Sequence, residues 1–309
     1  MKVGIVGAGM VGSTAAYAIG LMRAASRVVL VDLDRAAAAA QAEDIAHAMP
    51  FASSTTVTAG DYAALAGADI VILAAGVSQK PGESRLALPA RNAEVFRALL
   101  APVPAVPPAP VLLVATNPVD IMTTLTRRLS GLPARRVIGS GTILDTARFR
   151  DMLSRHLGIA PRSLHAYVLG EHGDSEVLGW SGARAGTMSL EAFADHIGRP
   201  ITEEVRHQID SGVREAAYRI IQGKGATYYG IGGGLARIVQ AIGQDERAVL
   251  SVSAETGALD LPHVAFSVPR LIGGGGVLAD LVPSLDPGET AALEASARLL
   301  RQTADELGA

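Results

Sequence analysis

The feature that most constrains the fold is a glycine motif set between an apolar run and a helical pattern. The β-branched run at 3–6 leads into GAGMVG at 7–12, and a helical pattern covers 10–23. In parallel α/β sheets such a turn lets the backbone approach a pyrophosphate, and the helix N-terminus offers unpaired N–H groups. The motif therefore predicts a dinucleotide-binding unit at the start of the chain.

An acidic residue follows at the position that contacts a ribose in such units. Asp32 ends the next apolar run, 20 residues after Gly12. A carboxylate there accepts both ribose hydroxyls and repels a 2′-phosphate, which favours NAD over NADP. The alternative is a tight strand–helix turn beside a solvated aspartate. The combination of strand, turn, helix and acid favours the nucleotide site.

The apolar runs alternate with helical patterns throughout the first 150 residues. Because the runs are apolar on both faces, they predict a parallel sheet covered on each side, a doubly wound sheet of the Rossmann type. The predicted strands are 3–6, 27–31, 55–59, 69–74, 111–115 and 136–139, and the predicted helices are 10–23, 35–49, 84–100 and 119–129.

The second half mixes helices with alternating strands, so we expect an α/β protein with a C-terminal α+β substrate domain. The predicted division is 1–141 and 142–309. The predicted helices of this half are 142–157, 203–221, 226–242 and a C-terminal helix that includes 293–307, and the predicted strands are 164–169, 249–252 and 264–268.

Composition excludes several classes of protein. Apolar residues make up 49% and charged residues 18%, which rules out a disordered chain. A net charge of −3 provides no basic field for nucleic acid. The chain has no cysteine, so it has no disulfide, thiolate metal site or thiol nucleophile, and this fits a reducing compartment.

One stretch is long enough to span a bilayer. Residues 98–119 carry no charge over 22 residues, but they include six prolines, which no single regular helix accommodates. We expect a helix end, a proline-rich loop and a buried strand instead. With no secretory signal in view after Met1, the chain is expected to be soluble and cytoplasmic.

Two segments carry residues suited to proton transfer and anion binding. His172 lies between Gly170 and Gly173, where its ring is free to meet a ligand, although a satisfied loop histidine explains the segment equally well. Asp145 and Arg148 share one helix face, where a carboxylate could orient a histidine and a guanidinium could bind a substrate carboxylate. The alternatives are a helix cap by Asp145 and an exposed ion pair.

A third segment, GVSQKPGESR at 76–85, follows the fourth predicted strand. Ligands bind beyond the carboxyl ends of parallel strands, and the Gly and Pro residues favour a loop that closes as a lid. An ordinary solvated loop is the alternative.

These motifs, taken in order, resemble those of the L-lactate dehydrogenases of the lactate/malate dehydrogenase superfamily, of the bacterial allosteric type. The resemblance covers essentially the whole chain. It rests on GVSQKPGESR, VATNPVD at 114–120, GTILDTARFR at 141–150, LGEHGDS at 169–175 and GKGATYYGIG at 223–232.

The resemblance implies a catalytic role for four residues. His172 would donate a proton to the pyruvate carbonyl, and Asp145 would hold its ring. Arg148 would bind the substrate carboxylate as a planar fork, and Arg85 would polarise the carbonyl. A protein that binds NAD without turnover, such as a redox sensor or scaffold, would need only the nucleotide loop, so this set of four favours an enzyme.

The resemblance also implies binding residues. The substrate would be pyruvate or L-lactate, in the glycolytic fermentation of pyruvate to lactate. The implied substrate-binding residues are Gln79, Arg85, Asn117, Asp120, Asp145, Arg148 and Thr227. The implied NAD-binding residues are Gly7, Gly9, Val11, Gly12, Asp32, Tyr62, Gly76, Val77, Ala115, Asn117 and Ser140.

Gln79 distinguishes two substrates. Lactate dehydrogenases carry Gln at this position and malate dehydrogenases carry Arg. A neutral amide leaves the second carboxylate of oxaloacetate without a countercharge, and a buried unpaired charge is costly. The sequence therefore favours lactate dehydrogenase, with malate dehydrogenase as the alternative.

The resemblance implies a regulatory site as well. Arg150 and His165 occupy the positions that bind fructose 1,6-bisphosphate in allosteric bacterial enzymes, across a subunit interface of a homotetramer. An interfacial or solvated pair of basic residues is the alternative. The remaining histidines have no ligand spacing, so no metal is expected.

Overall fold

A computed structural model of the chain describes residues 1–77, 87–103, 109–255, 257, 259 and 263–307. In its first half, strands and helices alternate as predicted. The elements are β1 (Lys2–Val6), α1 (Met10–Leu21), β2 (Arg27–Val31), α2 (Arg35–Ala48), β3 (Thr56–Ala59), β4 (Ile70–Leu73), α3 (Ala87–Leu100), β5 (Val111–Val114), α4 (Val119–Ser130) and β6 (Val137–Gly139).

The second half begins with a helix and continues through short strands to a long terminal helix. Its elements are α5 (Ile143–Leu157), β7 (Leu164–His165), β8 (Val168–Leu169), β9 (Val177–Leu178), β10 (Arg184–Ala185), β11 (Met188–Ser189), α6 (Leu190–His196), α7 (Glu203–Arg214), α8 (Ala216–Lys224), α9 (Tyr229–Gly243), β12 (Ala248–Glu255), β13 (Ala265–Gly273), β14 (Gly276–Asp280) and α10 (Pro287–Glu306).

The predicted parallel sheet is confirmed. From β3 to β6 the spatial order is β3-β2-β1-β4-β5-β6, and each neighbouring pair is parallel. The order reverses between β1 and β4, where the carboxyl ends of the two strands form a crevice. β4 and β5 are fully buried, as expected for strands covered by helices on both faces.

The antiparallel strands of the second half continue this sheet, which the sequence did not predict. β12 pairs with β13, β13 pairs with β14, and Ser253 of β12 lies opposite Gly139 of β6. Among the described residues, nine strands therefore form one sheet. The two halves share backbone hydrogen bonds, and the division at 141/142 stays a prediction.

Two predicted elements are divided in the structure. The strand at 164–169 is two short strands, because β7 pairs with β10 whereas β8 pairs with β9. The helix at 203–221 breaks at Glu215 into α7 and α8. α7 buries Ile209 and Val213, whereas no residue of α8 is buried. α7 therefore packs against the core, and α8 lies at the surface.

The charge-free stretch at 98–119 contains the end of α3 and the buried strand β5, as predicted; residues 104–108, in the predicted proline-rich loop, lie outside the described part of the chain. In the ranges that are described, no helix has the length and apolar character needed to cross a membrane.

Candidate active site

The glycine motif forms a compact turn with open space above it. Gly7 has φ +103°, and a Cβ on this residue would lie 2.5 Å from the Ala75 nitrogen. A Cβ on Gly12 would lie 1.8 Å from the Gly7 oxygen, so both positions require glycine. A Cβ on Gly9 would meet nothing within 4 Å. The space at the N-terminus of α1 therefore fits a pyrophosphate.

Asp32 is fixed beside this space. Its Oδ2 accepts the Ala8 N–H at 2.7 Å, and its Oδ1 accepts the Asp34 N–H at 3.1 Å. Burial, and then the charge of Asp32, raise the pKa of Tyr62. A cavity of about 470 Å³ adjoins the motif, and six of the predicted NAD-binding residues line it: Gly7, Gly9, Asp32, Tyr62, Gly76 and Val77. An open glycine turn beside a fixed carboxylate fits NAD.

The other predicted NAD-binding residues lie outside the lining of this cavity. Gly12 acts through the close packing of α1 on β1, and Val11 is half-buried on α1. Ala115, Asn117 and Ser140 follow the carboxyl ends of β5 and β6. Asn117 is exposed, whereas Ser140 is buried, with its N–H donating to the Val114 carbonyl at 2.8 Å.

Asn92 connects the two loops that carry predicted ligand-binding residues, and sequence reasoning missed it. It lies on α3 and is buried. Its Oδ1 accepts the Val77 N–H at 2.8 Å, and its Nδ2 donates to the Asn117 carbonyl at 2.8 Å. The signal was a lone amide four residues before Phe96, on an apolar helix face.

Asp145 joins the candidate proton donor, His172, to the candidate carboxylate-binding residue, Arg148. Its Oδ2 lies 2.6 Å from Nδ1 of His172, and its Oδ1 accepts from Nη1 of Arg148 at 2.8 Å. The side chains of Asp145, Arg148 and His172 are 3%, 16% and 27% exposed. No described residue hydrogen-bonds to Nε2 of His172, so this nitrogen is free to meet a substrate.

The two simpler explanations of the Asp145 segment are wrong. Thr142 makes no side-chain cap on α5, because its hydroxyl donates to the Val168 carbonyl at 2.6 Å. The ion pair of Asp145 with Arg148 is largely buried. The first turn of α5 thus presents Asp145 inward to the histidine loop.

The paired charges shift both pKa values. Burial alone would lower the pKa of His172, but the Asp145 carboxylate outweighs burial and raises this pKa to about 9. Burial would raise the pKa of Asp145, but the charges and hydrogen bonds of His172 and Arg148 hold it below its ordinary value. At neutral pH the pair is therefore an imidazolium against a carboxylate.

A second acid beside this pair had no role in the sequence prediction. Glu176 is buried, and its Oε1 has no hydrogen-bond partner among the described residues. Burial, and then the charge of Asp145, raise the pKa of Glu176 to about 8. Glu176 is also one of the acids whose charge raises the pKa of His172.

The structure describes two of the four remaining predicted substrate-binding residues. Asp120, on α4, is buried, and its Oδ2 accepts the His172 backbone N–H at 2.8 Å. Thr227 is half-buried in the turn between α8 and α9. Gln79 and Arg85 lie outside the described residues.

The two predicted regulatory residues lie on neighbouring elements. Arg150 of α5 donates from Nε to the Ala166 carbonyl at 2.9 Å, and its guanidinium carbon lies 4.6 Å from the Tyr167 ring centroid. Burial lowers the pKa of Arg150. His165 is exposed on β7. Arg150 lines a cavity of about 480 Å³ together with Arg162 and Arg237.

No group of three or more histidines and acids with metal-binding geometry occurs among the residues for which a structure is described.

Two family models match nearly the entire chain. Residues 1–139 match the NAD-binding domain of the lactate/malate dehydrogenases, and residues 142–309 match their alpha/beta C-terminal domain. The cofactor of the N-terminal domain is NAD, in agreement with the glycine turn and Asp32.

Individual relatives and solved structures cover the chain almost completely. An L-lactate dehydrogenase of Allorhizobium ampelinum is 62% identical over 98% of both chains, and one of Thermus aquaticus is 57% identical over 100% of both. A lactate dehydrogenase from a Medee basin deep-sea metagenome library matches with a TM-score of 0.96 at 39% identity, covering 100% of this chain and 99% of that one. The minor L-lactate dehydrogenase of Enterococcus mundtii matches with a TM-score of 0.94 at 40% identity, covering 99% and 98%. The glycine turn and the His172–Asp145 pair agree with these matches, and the chain therefore belongs to the lactate/malate dehydrogenase family of NAD-dependent oxidoreductases.

Proposed function

We propose that this oxidoreductase is an L-lactate dehydrogenase, which reversibly reduces pyruvate to L-lactate with NADH. The observation that carries the proposal is the Asp145 carboxylate shared by His172 and Arg148. It places a charged proton donor beside a guanidinium, the two groups that a 2-oxo acid requires. The names of the relatives support the same reaction.

His172 supplies the proton in this proposal. Its Nδ1 is bound to Asp145, so Nε2 donates to the carbonyl oxygen as the alcohol forms, and it takes the proton back in lactate oxidation. Asp145 fixes the ring and stabilises its charged form. Bound NADH supplies the hydride. Arg148 binds the substrate carboxylate through the N–H groups that Asp145 leaves available.

Arg85 and Gln79 enter the proposal through the resemblance. Arg85 polarises the reacting carbonyl, and Gln79 faces the variable end of the 2-oxo acid. A neutral Gln79 suits the methyl group of pyruvate. An arginine there would favour malate dehydrogenase, which is the alternative function.

The function is tested by measuring NADH oxidation with pyruvate and with oxaloacetate under identical conditions. We expect a higher kcat/KM with pyruvate. A higher value with oxaloacetate would make the chain a malate dehydrogenase. Binding of NADH without turnover of either acid would make it a binding protein.

We predict that the enzyme prefers NADH to NADPH because Asp32 repels a 2′-phosphate. A repulsion of about 1.4 kcal/mol already gives a tenfold preference, and we expect at least that. Asp32→Ala should lower the ratio of kcat/KM with NADH to kcat/KM with NADPH. Asp34→Ala is the matched control, since Asp34 caps α2. Equal kcat/KM values for both cofactors in the wild type would contradict the prediction.

We also propose that fructose 1,6-bisphosphate activates the enzyme through Arg150 and His165 at a subunit interface of a homotetramer. The partly buried guanidinium of Arg150 and the exposed ring of His165 support a phosphate site.

The regulatory proposal predicts that the sugar bisphosphate lowers KM for pyruvate or stabilises the tetramer. Changing Arg150 and His165 together to alanine should abolish the response while kcat at saturating pyruvate stays near the wild-type value. Arg155→Ala is the control, because Arg155 lies on the same helix in an exposed pair with Asp151. If the wild type does not respond at any pH from about 5 to 8, the two residues have no regulatory role.

A further inference from the structure

Asp120 is a buried acid behind the catalytic loop. It lies in the first turn of α4 and is 1% exposed. Its Oδ2 accepts the backbone N–H of His172 at 2.8 Å, whereas its Oδ1 has no hydrogen-bond partner among the described residues. A buried carboxylate is costly unless its charge is paired and its oxygens are hydrogen-bonded, so the unpartnered Oδ1 requires an explanation.

The loop that carries His172 is anchored at three consecutive backbone N–H groups. Gly170 donates to the Ser267 carbonyl of β13 at 2.8 Å, and Glu171 donates to the Ser296 hydroxyl of α10 at 2.9 Å. The third group, that of His172, donates to Asp120. Of the three acceptors, Asp120 is the only charged one, and it holds the residue that bears the reacting ring.

Several polar or charged groups surround Asp120. Burial is the largest effect on Asp120 and raises its pKa to about 6. The Ser253 hydroxyl of β12 and the N–H and charge of His172 lower this pKa, whereas the charge of Glu171 raises it. The charge of Asp120 also acts on the guanidinium of Arg270, on β13, and favours its charged form. His172 in turn faces Asp145 of α5, Asp120 and Glu176. Asp120 is therefore charged throughout the pH range in which His172 titrates.

We propose that Asp120 is a positioning residue for the proton donor: its carboxylate fixes the backbone of His172 and adds negative charge beside the imidazolium, without contacting the substrate. Asp145 restrains the ring and Asp120 restrains the backbone, so two acids from different helices locate one side chain. The inference rests on the proposed function, because it presumes that His172 is the proton donor.

The test measures kcat, KM and the pH dependence of kcat/KM for pyruvate in the wild type, Asp120→Ala, Asp120→Asn and Ser296→Ala. Displacement of a reacting group by about 1 Å costs on the order of 100-fold. In Asp120→Ala we therefore expect kcat and kcat/KM to fall together by about 100-fold, with KM nearly unchanged. Circular dichroism and NADH binding report whether each variant folds.

Asp120→Asn keeps an acceptor oxygen and removes the charge. Reduction requires protonated His172, so kcat/KM falls as pH rises through the pKa of His172. Without the neighbouring negative charge this fall should occur at lower pH in Asp120→Asn. Ser296→Ala removes a neutral anchor of the same loop, so it should lower kcat less and leave the pH of the fall unchanged.

Two results would overturn the inference. A raised KM with unchanged kcat in the Asp120 variants would make Asp120 a substrate ligand. If the pH profile of Asp120→Asn is the same as that of the wild type, the charge of Asp120 does not act on His172. This measurement tests the inference even if Asp120→Ala fails to fold. A wild type that does not reduce pyruvate would refute the proposed function itself.

Discussion

His172→Ala should lower kcat/KM for pyruvate by about 10²- to 10⁴-fold, the usual contribution of a general acid. The variant loses Nε2, the atom that donates the proton to the carbonyl oxygen in the proposed function. NADH binding should persist, because the cavity beside the glycine turn does not include His172. Steady-state kinetics and the quenching of NADH fluorescence measure the two properties separately.

Asp145→Asn should give a smaller but substantial loss, since the ring keeps a hydrogen-bond partner and loses the charge that stabilises the imidazolium. Asp151→Asn is its matched control, because Asp151 lies on the same helix in an exposed ion pair with Arg155. Near-normal turnover of pyruvate by His172→Ala would exclude this histidine as the proton donor.

Gln79→Arg should move the preference from pyruvate toward oxaloacetate by about a thousandfold. In the proposed function, Arg148 of the wild type binds one substrate carboxylate, and a second carboxylate facing Gln79 would be desolvated without a countercharge. An arginine there supplies a charged hydrogen bond of about 1.5–3 kcal/mol. With pyruvate bound, the same arginine would face a methyl group and remain unpaired, so the two effects add.

The measurement is the ratio of kcat/KM for the two acids in both proteins. Gln79→Met is the matched control, because it removes the amide without adding charge and should not raise turnover of oxaloacetate. An unchanged ratio in Gln79→Arg would mean that Gln79 does not face the substrate.

Local sequence signals were sufficient for the nucleotide half. The glycine motif is predicted from a strand, a turn and a helix that follow one another directly, and Asp32 is predicted from its place at the end of the next strand. The residues that indicate the nucleotide site are therefore close together in sequence. The apolar runs likewise predicted parallel strands in a doubly wound sheet. These features depend on short-range geometry and on burial of both sheet faces.

The contacts between the candidate catalytic residues depend on the packing of segments that are distant in sequence. Asp145 and His172 are 27 residues apart, and only the packing of α5 against the loop after β8 brings them to 2.6 Å. The sequence therefore left a helix cap and a satisfied histidine open as alternatives, and the resemblance, rather than spacing, assigned their roles.

Buried polar groups were the least predictable part of the site. Glu176 follows His172 by four residues, but its pKa depends on the carboxylate of Asp145 from another helix. Asn92 accepts the Val77 N–H and donates to the Asn117 carbonyl, and these two loops are distant from Asn92 in sequence. The resemblance implies that Asp120 binds substrate, whereas in the structure its buried carboxylate accepts the backbone N–H of His172.

The central claim is that Asp145 keeps His172 protonated for catalysis, and an NMR titration of the His172 ring tests it most directly. The His172→Ala spectrum identifies the signal among the seven histidines. The structure predicts a pKa of about 9 in the wild type and a clearly lower pKa in Asp145→Asn. Titration near the ordinary value of about 6.5 in both proteins would contradict the account.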